Sequence, residues 1–217
     1  NTTQLGSNTI QVNGTNNTTR GFNNNCFING SNNEIANGVN NSTVLGVGGK
    51  SDRDGELVIG GGLNAIGDIQ TDRKVSVVNL AGVTTSNTAA TLTVNGIPDF
   101  EYINVNNNSI VGFEIYITRL ELGGSAATAG NYSYRNIKGV VRIDNAGAML
   151  FIVGYTRNIA KYDSGGGSGV NGTAVMVAST TGGVPSISIQ VTDRNNVTNI
   201  WSATVTLHEL ISTNITF

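Results

Sequence analysis

Charge is scarce in this sequence. Only 12% of its 217 residues are Asp, Glu, Lys or Arg, about half of the roughly 25% found in ordinary soluble domains. The Lys and Arg residues form no run and the formal net charge is −2, so no positive surface is expected and a nucleic-acid partner is argued against. Cysteine occurs once, at Cys26, which rules out an internal disulfide. Histidine also occurs once, at His208, and no Cys/His cluster is present to hold zinc. No apolar run approaches the roughly 20 residues that cross a bilayer as a helix, so membrane insertion is not expected. The chain opens NTTQLG, without Met or a signal-type apolar stretch, and reads as a piece of something larger. Sequons such as Asn16-Asn17-Thr18 and Asn41-Ser42-Thr43 recur, as so much Asn and Thr makes them by chance.

What replaces charge is Asn, Thr, Ser and Gly. The first fifty residues hold fourteen asparagines, and glycines fall at Gly6, Gly14, Gly21, Gly30, Gly38 and Gly46, in steps of 8, 7, 9, 8 and 8. Most are followed by x-N or x-N-N, as in GTNN, GSNN and GVNN. A period near eight is an internal repeat. Apolar residues come late in each unit (Ile10/Val12, Cys26/Ile28, Ile35, Val44/Val47), and Asn13-Gly14, Asn29-Gly30 and Asn37-Gly38 mark corners. Each unit therefore reads as one short strand plus one sharp turn. One or two buried aliphatics do not offset the entropy of ordering eight residues, so units must stack. A β-solenoid or β-prism is expected over residues 1–50, in a homotrimer.

Residues 51–73 read as a transition, and residues 74–217 as an independent antiparallel domain. Candidate strands are Lys74–Leu80, Ala90–Val94, Ile110–Leu122, Tyr132–Ile143, Met149–Ile159, Thr173–Ala178, Ser186–Thr192 and Ile200–Leu210. Alternation is clean in SISIQV and WSATVTLHEL, which implies one buried and one wet face. In VGFEIYITRLEL the apolar phase slips between Ile117 and Leu120, which predicts a bulge or corner there. AMLFIV does not alternate. It is either a central strand covered on both faces or a strand whose outer face meets another subunit. Pro98 and Pro185 fall at strand boundaries. The fold class expected is all-β: a short Asn/Gly-rich solenoid followed by a jelly-roll-like antiparallel sandwich.

Motifs for chemistry are few. GVGGKS resembles the tail of a phosphate-binding loop, but Val44 stands where that pattern needs glycine and no helix-forming stretch follows Ser51. His208 lies on the polar face of its strand, opposite in direction to Glu209, and reads as an ordinary exposed histidine rather than a base. Cys26 is in an apolar phase of the repeat and acts as a small hydrophobe. The carboxylate pairs Asp52/Asp54 and Asp99/Glu101 are the candidates for glycosidase chemistry. SDRDGE, however, reads as a solvated turn with Arg53 as counter-charge. Asp52 and Asp54 are also weak candidates for a calcium site; otherwise no metal and no cofactor is expected, and neither is enzymatic activity.

What remains is a surface. The loop KYDSGGGSGVNG, Lys161–Gly172, presents Tyr162 and Asp163, and the neighbouring SAATAGNYSYRN adds Tyr132, Tyr134 and Arg135. Aromatic, amide and charged side chains on loops suit sugar or protein recognition.

The Asn-rich repeat together with FEIYITRLELGG, NYSYRNIKGVVRID and NIWSATVTLHEL resembles the distal part of a bacteriophage tail fibre or tailspike. That resemblance implies a homotrimer on the virion surface. Its C-terminal domain would attach to a host cell-surface glycan or protein without catalysis, and a part not in this sequence would join other virion proteins. The G-x-N-N phrase is also similar to head repeats of trimeric bacterial adhesins. A third reading is a polysaccharide-degrading tailspike domain, and a fourth is a structural capsid decoration protein.

Overall fold

A computed structural model describes residues 1–61, 73–96, 102–162, 172–181 and 184–211. The first region is built from β1 (Thr2–Thr3), β2 (Asn8–Thr15), β3 (Thr18–Thr19), β4 (Asn24–Ser31), β5 (Glu34–Ile35), β6 (Thr43–Val47), β7 (Lys50–Ser51) and β8 (Leu57–Gly61). Long strands stack in parallel as β2, β4, β6 and β8, and short ones as β1, β3, β5 and β7. Thr2 pairs with Thr18 and Ile10 with Cys26, whereas Val44 pairs with Val58. The eight-residue phrase is therefore half a coil: two phrases close one turn of a β-solenoid, one giving the long strand and the other the short.

Backbone stereochemistry explains the composition. Asn16, Asn32 and Gly48 recur at one corner with φ of 55°, 56° and 68°, and Thr9, Asn25 and Asn41 recur at another with φ of 54°, 52° and 54°. Asn and Gly are the residues that tolerate this left-handed region. Glycine is required for space as well at Gly30, where a Cβ would lie 1.8 Å from the Gly46 carbonyl oxygen of the next coil.

Side chains complete the ladder. Asn17 Oδ1 accepts from the Asn33 backbone N–H at 3.1 Å, and Asn33 Oδ1 accepts from that of Gly49 at 2.8 Å. The Asn17 and Asn33 amides in turn donate to the carbonyls of Gly30 and Gly46. Both asparagines are buried, beside an apolar seam of Cys26, Ile28, Ile35, Val39, Val44 and Val58.

The second region contains β9 (Arg73–Thr84), β10 (Ala90–Thr91), β11 (Thr93–Val94), β12 (Ile103–Asn104), β13 (Ser109–Gly123), β14 (Tyr132–Ile143), β15 (Met149–Tyr162), β16 (Thr173–Thr181), β17 (Val184–Thr192) and β18 (Thr198–Ile211). β9 pairs antiparallel with β8, so solenoid and C-terminal region share one sheet in the order β15-β14-β13-β18-β9-β8-β6-β4-β2, with β11 also on β9. A second sheet, β10-β17-β12 with β16 on β17, packs on it. Phe113, Ile115, Val205 and Leu207 from the first meet Ile187, Ile189 and Val191 from the second in one core.

Two expectations change here. The slip expected between Ile117 and Leu120 does not occur: burial alternates without break through Arg119 and Glu121, the irregularity falls between Glu121 and Gly123, and Leu120 faces out. Arg119 occupies a core position because Asp193 at 2.7 Å and Glu121 at 3.1 Å neutralise it. AMLFIV is not a central strand. It lies in β15, at the edge of the large sheet, with Leu150, Ile152 and Val153 about half exposed.

Candidate functional site

Strand register sorts the outer face of the large sheet into rows. Residues paired across neighbouring strands share a face, so one row reads Leu45, Ile59, Val75, His208, Gly112, Val140 and Ile152. Apart from His208 it is wholly apolar or glycine, and it runs from the solenoid into the C-terminal region without interruption. Ile59, Ile152 and the adjacent Leu210 are each 50% or more exposed.

The next rows differ in character. Glu114, Lys138 and Tyr155 stand side by side, followed by Tyr116, Asn136 and Arg157, then Thr118, Tyr134 and Ala160. Tyr116, Asn136, Lys138, Tyr155, Arg157 and Ile159 line a cleft of about 490 Å³. The rings of Tyr116 and Tyr134 stack with centroids 5.7 Å apart and planes 20° from parallel. Lys138 Nζ lies 2.7 Å from Glu114 Oε1. That bond and one from the Tyr116 hydroxyl hold Glu114 below the usual carboxylate range; the same bond to Glu114 raises Tyr116. Asn136 is buried, its amide fixed by a 3.2 Å bond to the Ile115 carbonyl. The arrangement offers ring faces, a fixed amide and two cations to a ligand.

The sequence candidates separate into two groups. Tyr132 and Tyr162 are directly opposite each other, exposed, and stacked at 6.1 Å; with Tyr134 they belong to this outer face. Arg135 points the other way. It donates to the Gly172 carbonyl, and burial together with the nearby Arg119 charge lowers its pKa. Asp163, Asp99 and Glu101 lie outside the described residues. Tyr116, Lys138 and Arg157 were missed, although the alternation of VGFEIYI and NYSYRNIK already puts Tyr116 and Lys138 on the wet face.

Asp52 and Asp54 do not form the solvated turn expected of SDRDGE. Asp52 accepts from Lys74 at 2.8 Å and from Asn106 at 3.4 Å, whereas Asp54 Oδ1 caps the Asn40 N–H at 2.8 Å. Arg53 is buried and bridges Glu56 and Glu209, each at 2.7 Å, with Lys74 3.3 Å from Glu56 and 3.5 Å from Glu209. Burial alone would raise Asp52 and Glu209, but Arg53 and Lys74 outweigh it: Asp52 falls to about 2, and Glu209 is lowered as well. Five ionic side chains thus close the seam between solenoid and C-terminal region. Among the described residues no group of three His, Cys, Asp or Glu side chains is arranged to hold a metal ion.

His208 is exposed within the apolar row. Cys26 is buried, with its Sγ 3.4 Å from the Val39 carbonyl. After GVGGKS comes the fourth solenoid coil, and Lys50 pairs with Glu34 at 3.4 Å. No helix of the described residues is long and apolar enough to cross a membrane.

No family profile and no curated protein matches this sequence. Among solved structures, the chain is similar to the tailspike protein of Acinetobacter baumannii phage AM24, at 9% identity and a TM-score of 0.34, covering 84% of this chain and 33% of that one. It is similar to tailspike gp49 of A. baumannii bacteriophage Fri1, a capsular polysaccharide depolymerase, at 11% identity and a TM-score of 0.30, covering 91% and 46%. The third is the tailspike of Acinetobacter phage vB_ApiP_P1, at 9% identity and a TM-score of 0.27, covering 90% and 41%. The chain spans less than half the length of each of these spikes. Because one of them is a depolymerase, the expectation that this chain lacks enzymatic activity is withdrawn.

Proposed function

We propose that this chain is part of a phage virion fibre of the tailspike kind, displayed on the virion surface, and that its C-terminal region engages host surface polysaccharide. In this reading residues 1–61 form the shaft and the two layered sheets form a sandwich tip. One observation carries it: a cleft with stacked tyrosines, a fixed amide and cations lies on an open sheet face. Such a face suits an extended polymer, whose sugar rings stack on aromatics and whose hydroxyls bond to amides and charges. Tyr132 and Tyr162 extend the platform beyond Tyr134.

The fibre is proposed to be a homotrimer in which the apolar row around Ile59, Val75 and Val140 meets neighbouring copies. Contiguous exposed apolar surface of this kind marks association sites. Sedimentation at several concentrations tests it: a trimer is expected, and a concentration-independent monomer overturns it.

Polysaccharide engagement is tested by co-sedimentation of the full chain with purified bacterial surface polysaccharides, each incubation also being read for released reducing ends. Binding lost in Tyr116→Ala is expected. Binding to no polysaccharide overturns the reading, and reducing ends distinguish cleavage from attachment alone.

A further inference from the structure

Charges on the outer face are unevenly matched. On the outer rows of β9, β18, β13, β14 and β15, Glu114 is the one carboxylate among the described residues, while Lys138, Arg142 and Arg157 are basic. Lys138 already pairs with Glu114 at 2.7 Å. Arg157, exposed and in register with Asn136, has no carboxylate partner among the described residues, and it lines the same cleft as Tyr116 and Tyr155.

We propose that this cleft is a subsite for an acidic sugar, in which Arg157 binds the carboxylate of a uronic-acid-type residue while Tyr116 carries the ring. The inference rests on the polysaccharide reading above and names its chemical class. A guanidinium fork matches a carboxylate in two parallel hydrogen bonds, which an ammonium does not. The Tyr116–Tyr134 stack supplies the apolar ring face on which a pyranose lies. Asn136, buried and bonded to the Ile115 carbonyl, is held at the wall of the cleft. The volume of about 490 Å³ falls within the range of small-ligand sites, roughly 300–1,000 Å³. A second copy of the chain is a poorer occupant, since it would have to cover Arg157 and the Lys138–Glu114 pair with the apolar row of its partner.

Matched ligands test the inference. Purified acidic capsular polysaccharides containing uronic acid are compared with the same polymers after carboxyl reduction, which replaces each carboxylate by a hydroxymethyl group and leaves the rings intact. The full chain is expected to bind the native polymers on the order of tenfold more tightly, the size of one charge-assisted contact. Arg157→Gln is expected to bring the affinities for native and reduced polymers together with the melting temperature unchanged, and Arg157→Lys to restore the preference in part. Equal binding of native and reduced polymers, or a preference that survives Arg157→Gln, overturns the acidic subsite and leaves polysaccharide binding standing. Binding of neither form by the unmodified chain overturns the polysaccharide reading, and the subsite with it.

Discussion

The solenoid and the C-terminal region share a sheet yet are held by different forces. In the solenoid, buried asparagines hydrogen-bond to backbone groups of the next coil, and the apolar seam contains six buried residues. In the C-terminal region a larger apolar core sits between two sheets, and its buried charges fall in two ionic clusters, one around Arg119 within it and one around Arg53 at its border with the solenoid. The difference shows two ways of stabilising β structure in a chain poor in charge. One repeats a directional bond every sixteen residues, and the other accumulates buried area. Where they meet, at β8 and β9, neither suffices, and five ionic side chains fill the seam.

That contrast can be broken most severely at the seam. Arg53→Ala strands Glu56 and Glu209 in the interior with only Lys74 nearby, and removing one partner of a buried ionic group costs about 3–5 kcal/mol. Urea unfolding followed by Trp201 fluorescence should show this loss; a change below about 1 kcal/mol would mean that the seam is not held by these charges. Asn33→Ala leaves the Gly49 N–H and Gly46 carbonyl without their partner, at about 1–3 kcal/mol for each buried group. Hydrogen exchange should accelerate at Gly49 and along β4 and β6 while β13 and β18 stay protected; equal acceleration in both regions would erase the distinction between them.

Acid sharpens the comparison further. Asp52 and Glu209 have lowered pKa values in the folded chain, so their contribution is present above the unfolded carboxylate pKa and is lost as pH falls through the folded one. For Asp52 that window runs from about 4 down to about 2, with a loss on the order of 2 kcal/mol. Asp52→Asn should flatten the stability profile in that window, and a profile identical to the unmodified chain would show that the seam does not titrate. The smallest effect belongs to the solenoid corners. Phe22 is 71% exposed with φ +51°, in a conformation that disfavours ordinary side chains by roughly 1–2 kcal/mol. Phe22→Asn should raise the melting temperature slightly, and a drop would mean that the exposed ring contributes more than its backbone strain removes.

Much of this architecture was legible because it rests on periodicity. Glycine steps near eight and the phase of Ile28, Ile35 and Val44 pointed to stacked coils, and alternation placed β13, β14, β17 and β18 within a few residues. The closure of two phrases into one coil was not legible, because a long and a short strand look alike at the level of an eight-residue unit. The slip expected between Ile117 and Leu120 failed for a physical reason: hydropathy assigns the charges of Arg119 and Glu121 to water, and only the fold brings Asp193 to Arg119. Arg53 shows the same limit, since Glu209 is far away in sequence. For the candidate site, composition singled out Tyr132, Tyr134 and Tyr162, which strand register places on one outer face. Tyr116, Lys138 and Arg157 became a cleft only once register set three strands side by side.

The antiparallel pairing of β9 on β8 has a further consequence for growth. A parallel ladder presents the same unpaired edge after every coil and so invites another chain to continue it. By running in the opposite direction across the last coil, β9 occupies that edge and hands it to β18. At this end the long-strand ladder of the solenoid therefore offers no free edge, and the open edge of the large sheet is moved out to β15.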